Sequence, residues 1–178
     1  MAATSSDVTL MQQALELASR GIALASPNPC VGAIVVDANG HVNNVAYIQW
    51  MQDAAVRHAE ASGCLQATTA LGASWVVRTH QIEYLAPAFA GDSLTIQTWV
   101  ANFRKVRSLR KYRMIRAADQ TVVVRAETDW VFVNATTGRP LAIPDEVKNT
   151  LPVVDEKMEP GGTAVRKKTG PVMEIQGG

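Results

Sequence analysis

Four long segments between residues 74 and 133 alternate apolar and polar side chains, with only short turns between them. Successive side chains point to opposite faces of a strand, so this pattern specifies an antiparallel sheet with one buried face. Ser74 to Leu85 is the first segment, and Pro87 and Gly91-Asp92 mark the turn after it. Ser93 to Phe103 and Leu109 to Arg116 follow, joined by a short basic connection. Ala117 to Gln120 then turns into Thr121 to Val133, where Val122, Val124, Ala126, Thr128, Trp130 and Phe132 share one face. A sheet of this size needs a cover for its apolar face. The segment just ahead supplies one. From Val45 to about Ala61 the pattern is helical, with Val45, Ile48, Met51, Ala54, Ala55 and Ala59 apolar and Tyr47 and Trp50 between them. So broad a stripe predicts a helix wrapped by the rest of the chain. The fold class expected is therefore α+β, one antiparallel sheet curled around one long helix.

The flanks are different in character. Residues 8 to 22 read as an additional amphipathic helix, capped by Ser6 or Asp7 and ended by Gly21. Pro27 and Pro29 force an extended turn, and Val31 to Val36 reads as a buried strand. Pro144 to Thr150 reads as a last short helix, and from Leu151 the pattern dissolves into Pro, Gly and mixed charge. The expected organisation is an extension over 1–30, a domain over 31–147 and a mobile tail over 148–178.

A net charge of +1 over 178 residues argues against nucleic acid or a membrane surface as the main partner. Cys30 and Cys64 are the only cysteines, too few for a disulfide framework or a four-cysteine zinc site. No apolar run approaches the roughly 20 residues of a spanning helix, and residues 1–7 lack the basic and apolar regions of a signal peptide. A cytoplasmic protein without metal or cofactor is the expectation.

The chemistry concentrates in Asp37-Ala38-Asn39-Gly40-His41-Val42-Asn43-Asn44, directly before the apolar helix. A helix start presents unpaired N–H groups and a positive dipole end, suited to a carbonyl or a developing oxyanion. A carboxylate beside it can serve as general base for water or as nucleophile. The plainer alternative carries equal weight on these residues alone: they cap the helix and make a tight turn at Gly40.

The run Asp37-x-Asn39-x-His41-Val42-Asn43-Asn44-x-x-Tyr47-x-x-Trp50 resembles the pattern of hotdog-fold acyl thioesterases, the 4-hydroxybenzoyl-CoA-thioesterase-like and acyl-carrier-protein thioesterase groups. The likeness continues through Ile82-Glu83-Tyr84-Leu85-x-Pro87, Gly91-Asp92 and Trp130 to Pro140, covering about residues 37 to 147. It implies hydrolysis of an acyl thioester of coenzyme A or of an acyl carrier protein. It also implies homodimers or homotetramers with the site at the dimer interface, and a catalytic set matching Asp37, Asn39 and His41. On that reading the amides near Asn43 and Asn44 polarise the carbonyl, and Tyr47 and Trp50 lie along the substrate. Thiolate leaves readily, so no metal is needed. Only one acid stands at the end of the Val35-Val36-Asp37 strand, and Pro87 occupies the place of a further acid in the plant-type enzymes, so Glu83 or Asp53 is the candidate helper.

Ala14 to Gly21 and Ser26 to Ala33 are similar instead to the start of riboflavin-biosynthesis pyrimidine deaminases, and His58-Ala59-Glu60 matches their H-A-E motif. Such a zinc site needs three protein ligands and an acid, and no later cysteine pair completes it. His58 is then expected on a polar helical face with Arg57. Seven basic residues from Arg104 to Arg116 crowd one hairpin with no acid among them. Arg107 and Arg110 are taken as phosphate or carrier-protein contacts, against the simpler reading of a charged edge that prevents strand pairing. The function expected is thioester hydrolysis, and the competing one is a non-catalytic hotdog protein that binds acyl-CoA or acyl carrier protein.

Overall fold

The computed structural model describes residues 40–160 and the backbone of 172–176. The helix expected over 8–22, the strand at 31–36, Asp37 and Asn39 lie outside the described residues. Helix α1 spans Asn44–Ala61, a short α2 spans Cys64–Ala70, and four strands follow: β1 Ala73–Tyr84, β2 Ser93–Phe103, β3 Arg107–Arg116 and β4 Val122–Asn134. A four-residue helix α3, Asp145–Lys148, a 3-10 turn at Glu156–Met158 and strand β5, Val172–Gln176, complete the order. All pairings are antiparallel, in the sheet order β1-β4-β3-β2-β5.

The strand boundaries agree with the alternation in the sequence to within two residues. Register irregularities interrupt β1 between Val77 and Thr79, β2 between Val100 and Asn102, and β3 between Met114 and Ile115. A bulge bends its strand and sharpens the local twist, so three of them across four strands curl the sheet toward one side. The helix fills that concavity. Its stripe Tyr47, Met51, Ala54 and Ala55 is buried against Ile96 of β2, Tyr112 and Met114 of β3, and Val124 and Ala126 of β4. Ala54 and Ala55 carry no bulk beyond a methyl group, which lets the helix axis approach the sheet closely.

The buried stripe is narrower than the sequence suggested. Val45 is 69% exposed and Ile48 39%, because the sheet covers one side of α1 and these two face away from it. A positive φ of 80° at Gly63 ends the helix, the amide of Gly63 donating to the carbonyl of Glu60. The chain then turns into α2, and a second core forms around Cys64, Val100, Phe132, Ile143, Val147 and Leu151.

Beyond residue 150 the chain has more attachment than its aperiodic sequence indicated. Leu151 is buried, the amide of Val154 donates to Val100 O at 2.9 Å, and Lys111 pairs with Glu159 at 2.8 Å. Val172–Gln176 pairs with Ser93–Gln97 of β2. Isolated pins to β2 and β3 leave no periodic trace in sequence, which is why this stretch reads as a tail.

Met51 is fully buried at the centre of the α1–sheet contact. Met51→Ala is expected to cost about 2–5 kcal/mol, the range for truncating a fully buried large side chain. Urea unfolding followed by circular dichroism measures it, and a loss under about 1 kcal/mol would mean that the helix does not depend on this contact.

Candidate functional site

The loop into α1 is fixed by two kinds of contact. Asn43 caps the helix, its Oδ1 accepting from the Val45 amide at 2.9 Å, while the Ala46 amide donates to Asn43 O. The amide of Val42 donates to Ala88 O at 2.8 Å, and His41 bridges antiparallel to Phe89 with their rings in edge contact at 5.1 Å. Gly40 holds a φ of 79°, which a glycine adopts without strain. The capping role weighed for this loop is thus real for Asn43. It also engages the amides of Val45 and Ala46, which leaves those of Asn43 and Asn44 as the candidate polarising donors among the described residues.

An aromatic group lies below this entrance. Tyr47 is buried and meets Trp50 edge-on at 5.4 Å and Tyr84 at 5.5 Å. Burial pushes the Tyr47 phenol above its ordinary range, with a backbone hydrogen bond from Ala88 opposing, so it stays protonated and neutral. His41, Asn43, Asn44, Tyr47 and Trp50 are therefore gathered at one end of α1. Tyr84, Ala88 and Phe89 join them, residues the sequence had marked only as part of a matching segment and a turn. The helper acids are placed less centrally. Asp53 accepts from Gln49 Nε2 one turn away on α1, and Glu83 is exposed on β1 opposite Arg125.

The two arginines chosen as a phosphate pair are on opposite faces of β3. Arg107 and Arg78 both pair with Asp129, at 2.9 and 3.2 Å. Arg110 alternates with Ser108, Tyr112 and Met114 on the helix-facing side and is 5% exposed. It is not part of a surface patch. Its Nη1 donates to His58 Nδ1 at 2.9 Å and to Thr98 Oγ1 at 3.1 Å. His58 accordingly is not on a polar face with Arg57. It continues the stripe Tyr47, Met51, Ala54 and Ala55 by one further turn, a spacing visible in the sequence but outweighed by its polar neighbours.

A row of polar side chains thus crosses the inner face of the sheet. His80 of β1 contacts Thr128 of β4 at 2.9 Å, Thr128 registers with Arg110 of β3, and His58 covers Arg110 from the helix. Burial lowers the His80 imidazole. His58 is lowered to about 4, by burial first and by the adjacent guanidinium second. Among the described residues no group of His, Cys, Asp and Glu could hold a metal ion, and no helix is long and apolar enough to cross a membrane.

The long helix and the antiparallel sheet curled around it together define a hotdog fold. Residues 31–151 match the family model of the thioesterase-like superfamily, and the chain belongs to that superfamily. It is 32% identical to acyl-CoA thioester hydrolase YbgC of Escherichia coli O6:H1, over 62% of this chain and 83% of that protein. It is 27% identical to long-chain acyl-CoA thioesterase FadM of Escherichia coli K12, over 65% and 88%. Palmitoyl-acyl carrier protein thioesterase of Cuphea hookeriana is 32% identical over 77 residues, 43% of this chain, which spans only 19% of that protein's length. Among solved structures, the probable thioesterase YbaW of Escherichia coli superposes with a TM-score of 0.60 at 26% identity, covering 65% of this chain and 86% of that one. The 12:0-ACP thioesterase of Umbellularia californica shares the fold at a TM-score of 0.60 and 19% identity, over 75% and 55%.

The lowered His58 value links stability to pH. Folded His58 titrates near 4 and the unfolded residue near about 6.5. Between those values the unfolded chain binds a proton that the folded chain excludes. The stability is fully present above about pH 6.5 and is lost as pH falls toward 4. Urea midpoints at pH 7 and 4.5 should therefore differ by less in His58→Gln than in wild type, by up to about 2 kcal/mol after discounting for solvent screening. An imidazole resonance for His58 that titrates near 6.5 in the folded protein would contradict the buried contact with Arg110.

Proposed function

We propose that this protein hydrolyses an acyl thioester at the start of α1, with coenzyme A or an acyl carrier protein as the leaving thiol. The observation that carries the reading is the anchored His41–Asn44 loop, which caps α1 beside an aromatic floor of Tyr47, Trp50 and Tyr84. Asn39 is two residues before His41 and Asp37 four, so even a fully extended chain keeps them within roughly 7 and 14 Å of it. Asp37 activates water, or attacks the thioester carbon itself, while Asn39 and His41 position the carboxylate and the substrate.

In the base mechanism the Asp37 carboxylate takes a proton from water, and the water oxygen bonds to the carbonyl carbon. The oxyanion that forms faces the positive end of α1 and the Asn44 amide, where a fixed dipole favours negative charge. Its collapse expels the thiolate, a stable leaving group that needs no metal. The acyl group lies over Tyr47 and Trp50. Phosphates of the carrier meet exposed cations, for which the turn residues Arg104 and Lys105 are the candidates, with the half-buried Arg107, held by Asp129, beside them. The YbgC and FadM relatives, named as acyl-CoA hydrolases, support a coenzyme A substrate, and the plant relatives a carrier protein.

A second copy of the chain completes the assembly. Val76 and Val77 are 45% and 36% exposed on β1, whose outer edge has no strand beside it among the described residues. An apolar, unpaired edge of this kind favours strand pairing with a partner.

Thiol release from short, long and aromatic acyl-CoAs tests the reading, wild type beside Asp37→Asn. The expected result is turnover in wild type and a fall of at least about 100-fold in the variant, the usual contribution of a general base, with substrate binding retained. Binding of acyl-CoA without hydrolysis by wild type would point instead to a non-catalytic acyl-CoA or carrier-protein binder.

A further inference from the structure

A cavity of about 220 Å³ lies between the C-terminal half of α1, α2 and the inner face of the sheet. Its walls are mainly apolar, from Ala55, Val56, Ala59, Leu65 and Trp75, and Arg110 opens into it. Among the described residues this is the one cation on an otherwise neutral lining. No acidic side chain among the described residues pairs with Arg110. Its Nη1 is engaged by His58 and Thr98, while Nε and Nη2 have no acceptor among the described residues. His58 cannot supply the missing charge, since its Nδ1 accepts from the guanidinium and the ring is neutral at pH 7. On the same lining, the Trp130 indole is buried with its N–H beside the Tyr112 hydroxyl. A guanidinium cannot shed its proton to escape such a position. Water could solvate it but brings no counter-charge.

We propose that this cavity binds the carboxylate end of an otherwise apolar ligand, with Arg110 as its counter-ion. The free Nε and Nη2 form the planar fork that matches a carboxylate with two parallel hydrogen bonds. A single cation balances a monoanion, whereas a phosphate dianion would remain unneutralised. The volume is below the roughly 300–1,000 Å³ typical of drug-sized ligands, and suits a short chain or one ring. The carboxylate has two sources. It is a free carboxylic acid, or it is the far end of an acyl group whose thioester sits at the helix start, in which case the inference rests on the proposed hydrolysis. The cavity residues Gln52 to Ala59 follow Asn44 by roughly 12–22 Å along α1, so only the far end of such an acyl group occupies the cavity.

Calorimetry with benzoate and hexanoate, each beside its neutral amide, tests the proposal without reference to hydrolysis. The acids are expected to bind wild type at least about tenfold tighter than the amides, a difference of about 1.4 kcal/mol, and Arg110→Met is expected to abolish that preference. Should Arg110→Met fail to fold, the wild-type His58 resonance locates the site, because a carboxylate on Arg110 removes a neighbouring positive charge and raises the imidazole titration. Equal binding of acid and amide, an unaltered preference in Arg110→Met, an unmoved His58 titration in the bound state, or no binding of either acid at roughly 10 mM would each overturn it. Turnover of an ω-carboxyacyl-CoA beside the unsubstituted chain then separates the sources. A preference for the carboxylated chain that Arg110→Met removes identifies the acyl group, and no preference alongside tight benzoate binding identifies a free acid.

Discussion

The contact between α1 and the concave face of the sheet is the interaction on which the remaining structure depends. Met51 and the pair Ala54 and Ala55 set how closely the helix lies on the strands, and the two short side chains admit no alternative seat one turn away. A slip of one turn, about 5.4 Å, would place Trp50 or His58 where these residues pack. The helix is also held at its start, by the Asn43 cap and by the Val42 amide on Ala88. Seat and cap together fix where the first amides of the helix point. A site built on such a helix inherits the rigidity of the core, which is what positioning a carbonyl to a fraction of an ångström demands.

The same contact gives the two ends of α1 different chemistries. At the N-terminal end Tyr47, Trp50 and Tyr84 pack edge-on below the loop. Toward the C-terminal end the inner face changes from aliphatic to polar, with His80, Thr128, Arg110 and Thr98 across adjoining strands. Polar groups on a core face carry a desolvation cost of a few kcal/mol each unless they find partners. Most here do, through the His80–Thr128 and Arg110–Thr98 contacts. The exceptions are part of Arg110, on the cavity, and the Tyr112 hydroxyl and Trp130 indole, which lie against each other.

How much of this was legible in the sequence follows from what each residue answers to. Alternation in β2, β3 and β4 is dictated by burial of one face, so the strands and the inward set from Val124 to Phe132 could be read directly. The same alternation placed Arg110 between Ser108 and Tyr112 on the inner face, yet charge suggested a surface patch instead. His58 was masked similarly, since its spacing from Met51 and Ala54 is that of a core position. Val45 and Ile48 mislead in the opposite sense, because an apolar residue can as well face a partner chain or solvent as its own core. The apposition of Ala88 and Phe89 to the His41 loop is a long-range backbone contact, and no local pattern encodes it. The helix cap was legible, but its consequence was not: the residue that caps engages, through its side chain and its carbonyl, two amides a substrate would otherwise meet.

The energetics of Arg110 bear on why the polar row persists. A hydrophobic residue of similar length would fill the same space and remove the need for Thr98 and His58 to act as acceptors, and replacements of that kind are often neutral or stabilising by about 1–4 kcal/mol. The fold does not require a cation there, since the seat of α1 is made by Met51 and the alanines. Burial presses the guanidinium toward its neutral form, but its intrinsic basicity leaves it charged. The neutral His58 beside it is a consequence of burial first and of that charge second, and adds its own sensitivity to acid. A group that weakens the empty protein, remains ionised and keeps two donors directed at a cavity is best explained by what it does when the cavity is filled. That places specificity at the far end of α1, away from the loop where bonds would be made and broken, on the same rigid helix.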